Sequence, residues 1–459
     1  MPRTVPKASA DLAIGLDQWQ AFGPGNIING SVIRSAALHD EEATVVLKLR
    51  GRAAADMNVK GGTFKYTYNN EFDFFGNSTT WTIFKGPIEI TSDTPNTAWP
   101  FQVKFPVTLS EASVAANKTP AGSFLSLAED DIKKQELPDV FSCAGNPLQG
   151  NLIFHGYVEY YLEAELIPSK GPRSVAMQPL LVRRPSKELL QSWQDFGFRK
   201  TLKGLSYPSV RLPGGEEKKS GLFRRSKKST DLKFKVQMLR PSRLQFGNRL
   251  PFALRILPDD GASKDLCKAG LQFQVLSFNL FLTAKSEVLC VSGTRPIKED
   301  NNFHFSFAEN SLIPEGYGPI DIPVGEDAQP LDIGEKLQLV LDDRGISALG
   351  RRVGPGLPFP MMPSLETYCI KHKYMLGWEL KIGIPQISKT DKFTGDIDVE
   401  MLNPNQVHLD QGTAQLGGAD PQAEYISWSN GMDMAGVAMI RGARNIAAVG
   451  YLIGAALSF

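Results

Sequence analysis

At 459 residues, 42% hydrophobic and 22% charged, the chain exceeds one ordinary core, so two or three globular domains are expected rather than disorder. A net charge of +1 provides no global attraction to nucleic acid or to membranes. Cys143, Cys267, Cys290 and Cys369 lie far apart, without C-x-x-C or histidine spacing, which argues against a zinc site or disulfide framework and suits a reducing compartment.

The opening MPRTVPKASADLAIGL has no signal-type apolar core, so the sequons at Asn29, Asn77 and Asn117 are read as chance. Residues 1–170 read as the first domain, a series of short strands separated by turns. DLAIGL and SVIRSAAL flank Gly23-Pro24-Gly25-Asn26. ATVVLKLRG, FKYTY, TTWTIF and WPFQVKFP follow, and Ser110 to Asn117 alone reads as a short helix. The clearest strand runs from Leu152 to Ile167. Val158, Tyr160, Leu162, Ala164 and Leu166 alternate with Glu159, Tyr161, Glu163 and Glu165, giving one apolar and one acidic face. Repeated short alternating strands predict an all-β sandwich or barrel.

Residues 171–230 change character. From Arg183 to Lys235 there are 15 Lys/Arg against 5 Asp/Glu, a local charge of +10 against −9 for the rest of the chain. This segment reads as a basic flexible linker. Within it Ser186 is positioned to cap a short helix carrying Leu189, Leu190, Trp193 and Phe196 on one face. Strands resume at DLKFKVQML and continue through RLPFALRIL, LQFQVLSFNLFLTA, NNFHFSFA, EKLQLVLDD and Ile370 to Ile382, so residues 231–387 read as a second β domain. The tail, 388–459, ends in a small-residue apolar stretch. Arg441 and Arg444 leave too short a run for a spanning helix of roughly 20 apolar residues, and packing within the protein is the favoured reading.

Two all-β domains around a basic segment bring out a family resemblance. Pro24-Gly25-Asn26 with Gly30 and Val32, then Val45 to Gly51, Trp99-Pro100-Phe101 with Phe105-Pro106, and Leu137-Pro138 to Phe141 occur in order. With VEYYLEAEL, and with Pro241, Gly247 and Leu250 in the second half, they resemble the arrestin-like family, nearest to fungal α-arrestin-related proteins. The resemblance spans residues 11 to 387. It implies two tandem immunoglobulin-like β-sandwiches with a basic linker and a C-terminal extension, no cofactor, and no catalysis. It also implies a cytoplasmic adaptor, peripheral to the plasma membrane or endosomes, linking membrane transporters or receptors to ubiquitin ligases and endocytosis. The chain departs from the pattern in having no P-P-x-Y or L-P-x-Y motif, so ligase recruitment would run through an intermediary. Two alternatives stay open. One is a retromer-type arrestin-fold sorting scaffold that needs no ligase. The other is a secreted carbohydrate-binding β-sandwich.

Motifs for nucleophilic, nucleotide or zinc chemistry are missing from these residues: no G-x-S-x-G, no P-loop and no H-E-x-x-H. His372 sits on an apolar strand face and reads as a core residue. The basic cluster Lys218, Lys219, Arg224, Arg225, Lys227 and Lys228 has two readings, a solvated linker or a contact with anionic membrane, with Trp193 and Phe196 as apolar anchors. Arg183-Arg184-Pro185-Ser186 and Arg224-Arg225-Ser226 have the form of basophilic kinase sites, making Ser186 and Ser226 candidate phosphoacceptors. Pro355 to Pro363 reads as an inter-strand loop or a P-x-x-P ligand. Docking of the basic segment on the acidic face of Val158–Leu166 is a further expectation.

Overall fold

The computed structural model describes residues 12–405 apart from 19–20, 62–63, 92–96, 117–119, 146–151, 211–229, 269, 309–310 and 355–359. Strands dominate, and apart from one short parallel pair their ladders are antiparallel.

The first half contributes β1 (Ala13–Leu16), β2 (Ile27–Arg34), β3 (Leu38–Gly61), β4 (Phe64–Asp73), β5 (Thr80–Ile90), β6 (Thr97–Lys104), β7 (Phe141–Ala144), β8 (Leu152–Ile167) and β9 (Ser174–Leu180). One sheet runs β1-β2-β6. A second runs β4-β3-β8-β7, with β5 on β3 and β9 on β8. The expected helix forms as α1 (Glu111–Ala115), where the Ser110 side chain accepts the Ser113 amide as N-cap. A second short helix, α2 (Glu129–Ile132), precedes Leu137.

Strand β8 realises the alternation read from sequence, with Val158, Tyr160, Leu162, Ala164 and Leu166 all in the core. Tyr160 packs among Phe74, Phe75 and Phe105, and its hydroxyl donates to the Pro138 carbonyl at 2.7 Å. That bond anchors the Leu137-Pro138 approach loop to the strand it precedes. Gly51 lies in mid-strand, not at a strand end, because β3 continues to Gly61. A Cβ there would come within 2.7 Å of both Phe75 and Tyr160, so glycine makes room for the aromatic cluster.

The second half contributes β10 (Arg199–Val210), β11 (Thr230–Arg240), β12 (Arg243–Gln245), β13 (Asn248–Arg249), β14 (Ala253–Pro258), β15 (Phe273–Ser292) and β16 (Arg295–Ser306). After them come β17 (Ile320–Ile322), β18 (Leu331–Asp332), β19 (Val340–Asp342), β20 (Gly345–Ala348), β21 (Arg351–Arg352), β22 (Leu365–Glu366), β23 (Ile370–Ile384) and β24 (Lys389–Leu402). Two helices, α3 (Gly261–Lys268) and α4 (Ile333–Lys336), sit between strands; α4 takes the start of EKLQLVLDD, read as strand from sequence. Its sheets run β10-β11-β14-β18, β12-β24-β23-β15-β16 with β17 and β22 attached, and β13-β19-β20-β21. A second hydrophobic core, from Leu205 to Met401, fills the space between them.

Two stretches of the segment read as a flexible linker are strands. Residues 174–180 are β9 of the first sheet system, and 199–210 are β10, paired with β11 from Arg199↔Arg240 to Val210↔Thr230. The dense basic cluster therefore lies in the connection of a β10–β11 hairpin, within residues 211–229 and outside the described residues. Only about 181–198 cross from one core to the other. No helix follows Ser186. Residues 192–197 turn instead, with the Asp195 carboxylate accepting the Gln191 and Ser192 amides at 3.0 and 2.7 Å.

Candidate functional site

The acidic face of β8 is already partnered. Cross-strand register sets Lys48 opposite Glu163, Arg50 opposite Tyr161 and Arg52 opposite Glu159. Lys48 Nζ lies 3.1 Å from Glu163 and 2.7 Å from Glu165. Arg52 bonds Glu159 and Glu71, with its guanidinium 5.5 Å and 6.0 Å from the Tyr157 and Tyr161 ring centres. Burial works against the Arg52 charge, but Glu159 and its neighbours outweigh it and hold the guanidinium above its ordinary range. β3 supplies most of the counter-charges to these acids, and Arg173, at the start of the segment read as a linker, lies 3.9 Å from Glu165; the dense basic cluster expected to dock there lies outside the described residues.

The two halves meet end to face. Val288 and Cys290 of β15, with Tyr368, Cys369 and Ile370 at the start of β23, belong to the first hydrophobic core. Asn70 Nδ2 donates to the Gly122 and Leu289 carbonyls at 2.6 and 2.9 Å, and Cys290 Sγ donates to the Ala55 carbonyl at 3.3 Å. Phe72 stacks on Tyr368 at 4.9 Å, and Asn301 Nδ2 donates to the Ala144 carbonyl at 3.0 Å. Gly156 sits where a Cβ would approach Val288 Cγ1 to 2.6 Å and Cys143 Sγ to 3.0 Å. His372, buried as expected, rests on Phe141, and its Nδ1 lies 2.8 Å from Ser286 Oγ. Burial pushes its imidazole down to about 3 and the Cys143 and Cys290 thiols up to about 12.

A second contact joins the halves beside this seam. Asp139 is buried and accepts the Arg184 amide at 3.0 Å and Asn403 Nδ2 at 2.5 Å; Arg184 Nε lies 3.6 Å away. Burial pushes its carboxyl up, against the lowering pull of Arg184 and Asn403. Arg184 also pairs with Glu136, as does Lys187 at 3.1 Å. Between those two cations, Ser186 bridges in parallel to Asn405.

The residues singled out from sequence are not brought together as one site. Lys218, Lys219, Arg224, Arg225, Ser226, Lys227 and Lys228 lie outside the described residues, as do residues 355–359 of the proline-rich loop and the tail from 406. Trp193 is 40% exposed and packs against Phe198, with the rings tilted and their centres 4.2 Å apart. Phe196 is 0% exposed, with the Arg249 guanidinium 5.6 Å from its ring. Its expected role as a membrane anchor is therefore corrected: the turn at 192–197 directs Phe196 inward and Trp193 outward. Sequence reasoning missed Asp139, Asn403 and Asn70, isolated polar residues whose partners are separated from them by tens to hundreds of positions.

No family model matches the chain, and no curated protein matches it. Among the described residues, no group of three or more His, Cys, Asp or Glu is placed to hold a metal, and no helix is long and apolar enough to cross a membrane.

Proposed function

We propose that this chain is a non-catalytic, arrestin-like adaptor built of two tandem immunoglobulin-like sandwiches and working in membrane-protein trafficking. Its partners in this reading are cytoplasmic segments of transporters or receptors, with a ubiquitin ligase reached through an intermediary, at the plasma membrane or endosomes. The observation that carries the reading is the position of the charge. The basic cluster connects β10 to β11, whose last turns approach the start of β24 through the bond from Tyr207 to Asp391. Asp391 registers with Ile382, at the far end of β23 from the seam residue Ile370. The strand ends that flank the connection, Val210 and Thr230, pair with each other at this end, and between them the sequence carries seven Lys/Arg against two Glu, a charge that in this reading meets an anionic surface. Polybasic segments gain about 1 kcal/mol per charge near anionic lipid.

The missing P-P-x-Y motif favours one second reading, a sorting scaffold that binds coat components constitutively. Vesicle sedimentation tests the membrane part. Binding to phosphatidylserine vesicles is expected to exceed binding to phosphatidylcholine, to fall with salt, and to drop when Lys218, Lys219, Arg224, Arg225, Lys227 and Lys228 are changed to Ser. Equal binding to neutral vesicles would sink it.

A further inference from the structure

We propose that Ser186 is a phosphoacceptor whose modification loosens residues 403–405 from the first domain. This inference rests on the junction geometry and stands apart from the adaptor reading.

Ser186 lies half-buried in an irregular stretch, which is the backbone form a kinase cleft takes in extended conformation. Arg183 and Arg184 precede it at the spacing of an arginine-directed kinase site. Its main chain is the tie to the end of β24. The Ser186 amide donates to the Pro404 carbonyl at 2.9 Å, and Asn405 Nδ2 donates to the Ser186 carbonyl at 3.3 Å. Its hydroxyl oxygen accepts the Glu188 amide at 3.2 Å.

The charged residues that flank Ser186 in sequence are arranged for a competition. Arg184 and Lys187 flank Ser186, and both are held by Glu136, whose side chain is 60% exposed. Glu188 is occupied by Arg243, which also binds Glu400. A protein kinase would transfer the γ-phosphoryl group of ATP to Ser186 Oγ. The Oγ–P bond forms, the bond from Pγ to the β-phosphate oxygen breaks to give ADP, and the hydroxyl proton leaves to the kinase base. The product carries about −2 charge and three strong acceptor oxygens. A dianion between two cations outcompetes one solvated carboxylate for them.

Moving Arg184 onto the phosphate takes it from Asp139. That carboxylate is buried, and Asn403 bonds to it. Removing the cation from a buried carboxylate is costly. Asp139 then keeps only the Arg184 amide and Asn403 Nδ2 against its buried charge, and in this proposal the strain is relieved by opening at Asn403 and at the adjoining bridge between Ser186 and Asn405.

The test uses the full chain, phosphorylated with an arginine-directed kinase and ATP, with sites mapped by mass spectrometry and followed by hydrogen exchange. Phosphate is expected on Ser186, absent from Ser186→Ala. Exchange at the Ser186 amide and across 401–405 is expected to speed up about tenfold or more, with β15 unchanged. Unphosphorylated Arg184→Gln is expected to show the same loosening. Modification at Ser226 with Ser186 left untouched would overturn the proposal, and so would phospho-Ser186 with unchanged or slower exchange.

Discussion

Arg52 and Glu159 face each other across β3 and β8, with Nε 2.8 Å and Nη2 2.6 Å from the same carboxylate oxygen. Glu159 is 0% exposed although it stands on the face that alternation marks as polar. Arg52→Met keeps the packing volume and strips the carboxylate of this cation. The expected loss is about 3–5 kcal/mol in urea unfolding, and the double variant with Glu159→Gln is expected to recover most of it. A loss under about 1 kcal/mol for Arg52→Met would show that the pair is solvated.

His372 carries a pH prediction. Its imidazole is neutral in the fold, with the folded value near 3 and the unfolded value near 6.5. The unfolded chain therefore binds a proton between those values and the native one does not. The stabilisation is complete above pH 6.5 and is lost as pH falls toward about 3, at about 1.4 kcal/mol per pH unit. Urea midpoints at pH 7, 6 and 5 are expected to fall more steeply for wild type than for His372→Phe, by one proton. Parallel slopes would contradict it.

Much of the strand framework is legible in the sequence, and each failure has its own physical cause. Val158 to Leu166, Leu232 to Met238 and Ile370 to Ile382 alternate strictly, and each is a strand with its apolar set buried. Strand β10 reads as linker because Gly204, Pro208 and its lysines hide Leu205 and Tyr207, the two inward residues. The helical spacing of Leu189, Leu190, Trp193 and Phe196 loses to Asp195, whose carboxylate caps a turn. Alternation also marks the acidic face of β8 without its partners. Cross-strand register over more than a hundred residues decides that Lys48 and Arg52 oppose those acids, and local pattern does not encode it.

The seam predicts a two-speed thiol pattern. Cys143, Cys290 and Cys369 are buried between the halves, whereas Cys267 is half-exposed, and all four are free. Burial holds the Cys267 thiol above its ordinary range, so timed alkylation of native protein is expected to label Cys267 slowly but first, and the other three only at the rate of opening. Gly156→Val, which drives a methyl-bearing carbon against Val288, is expected to speed those three together and to cost about 1–3 kcal/mol. Simultaneous labelling of all four in wild type would refute a closed seam.

The adaptor reading is tested most directly by proximity labelling of the full chain in living cells of its source. The account predicts enrichment of transporters or receptors together with ligase or sorting-coat components, reduced when the six basic residues of the hairpin connection are neutralised. A labelled set with no membrane protein, ligase or coat component would contradict it.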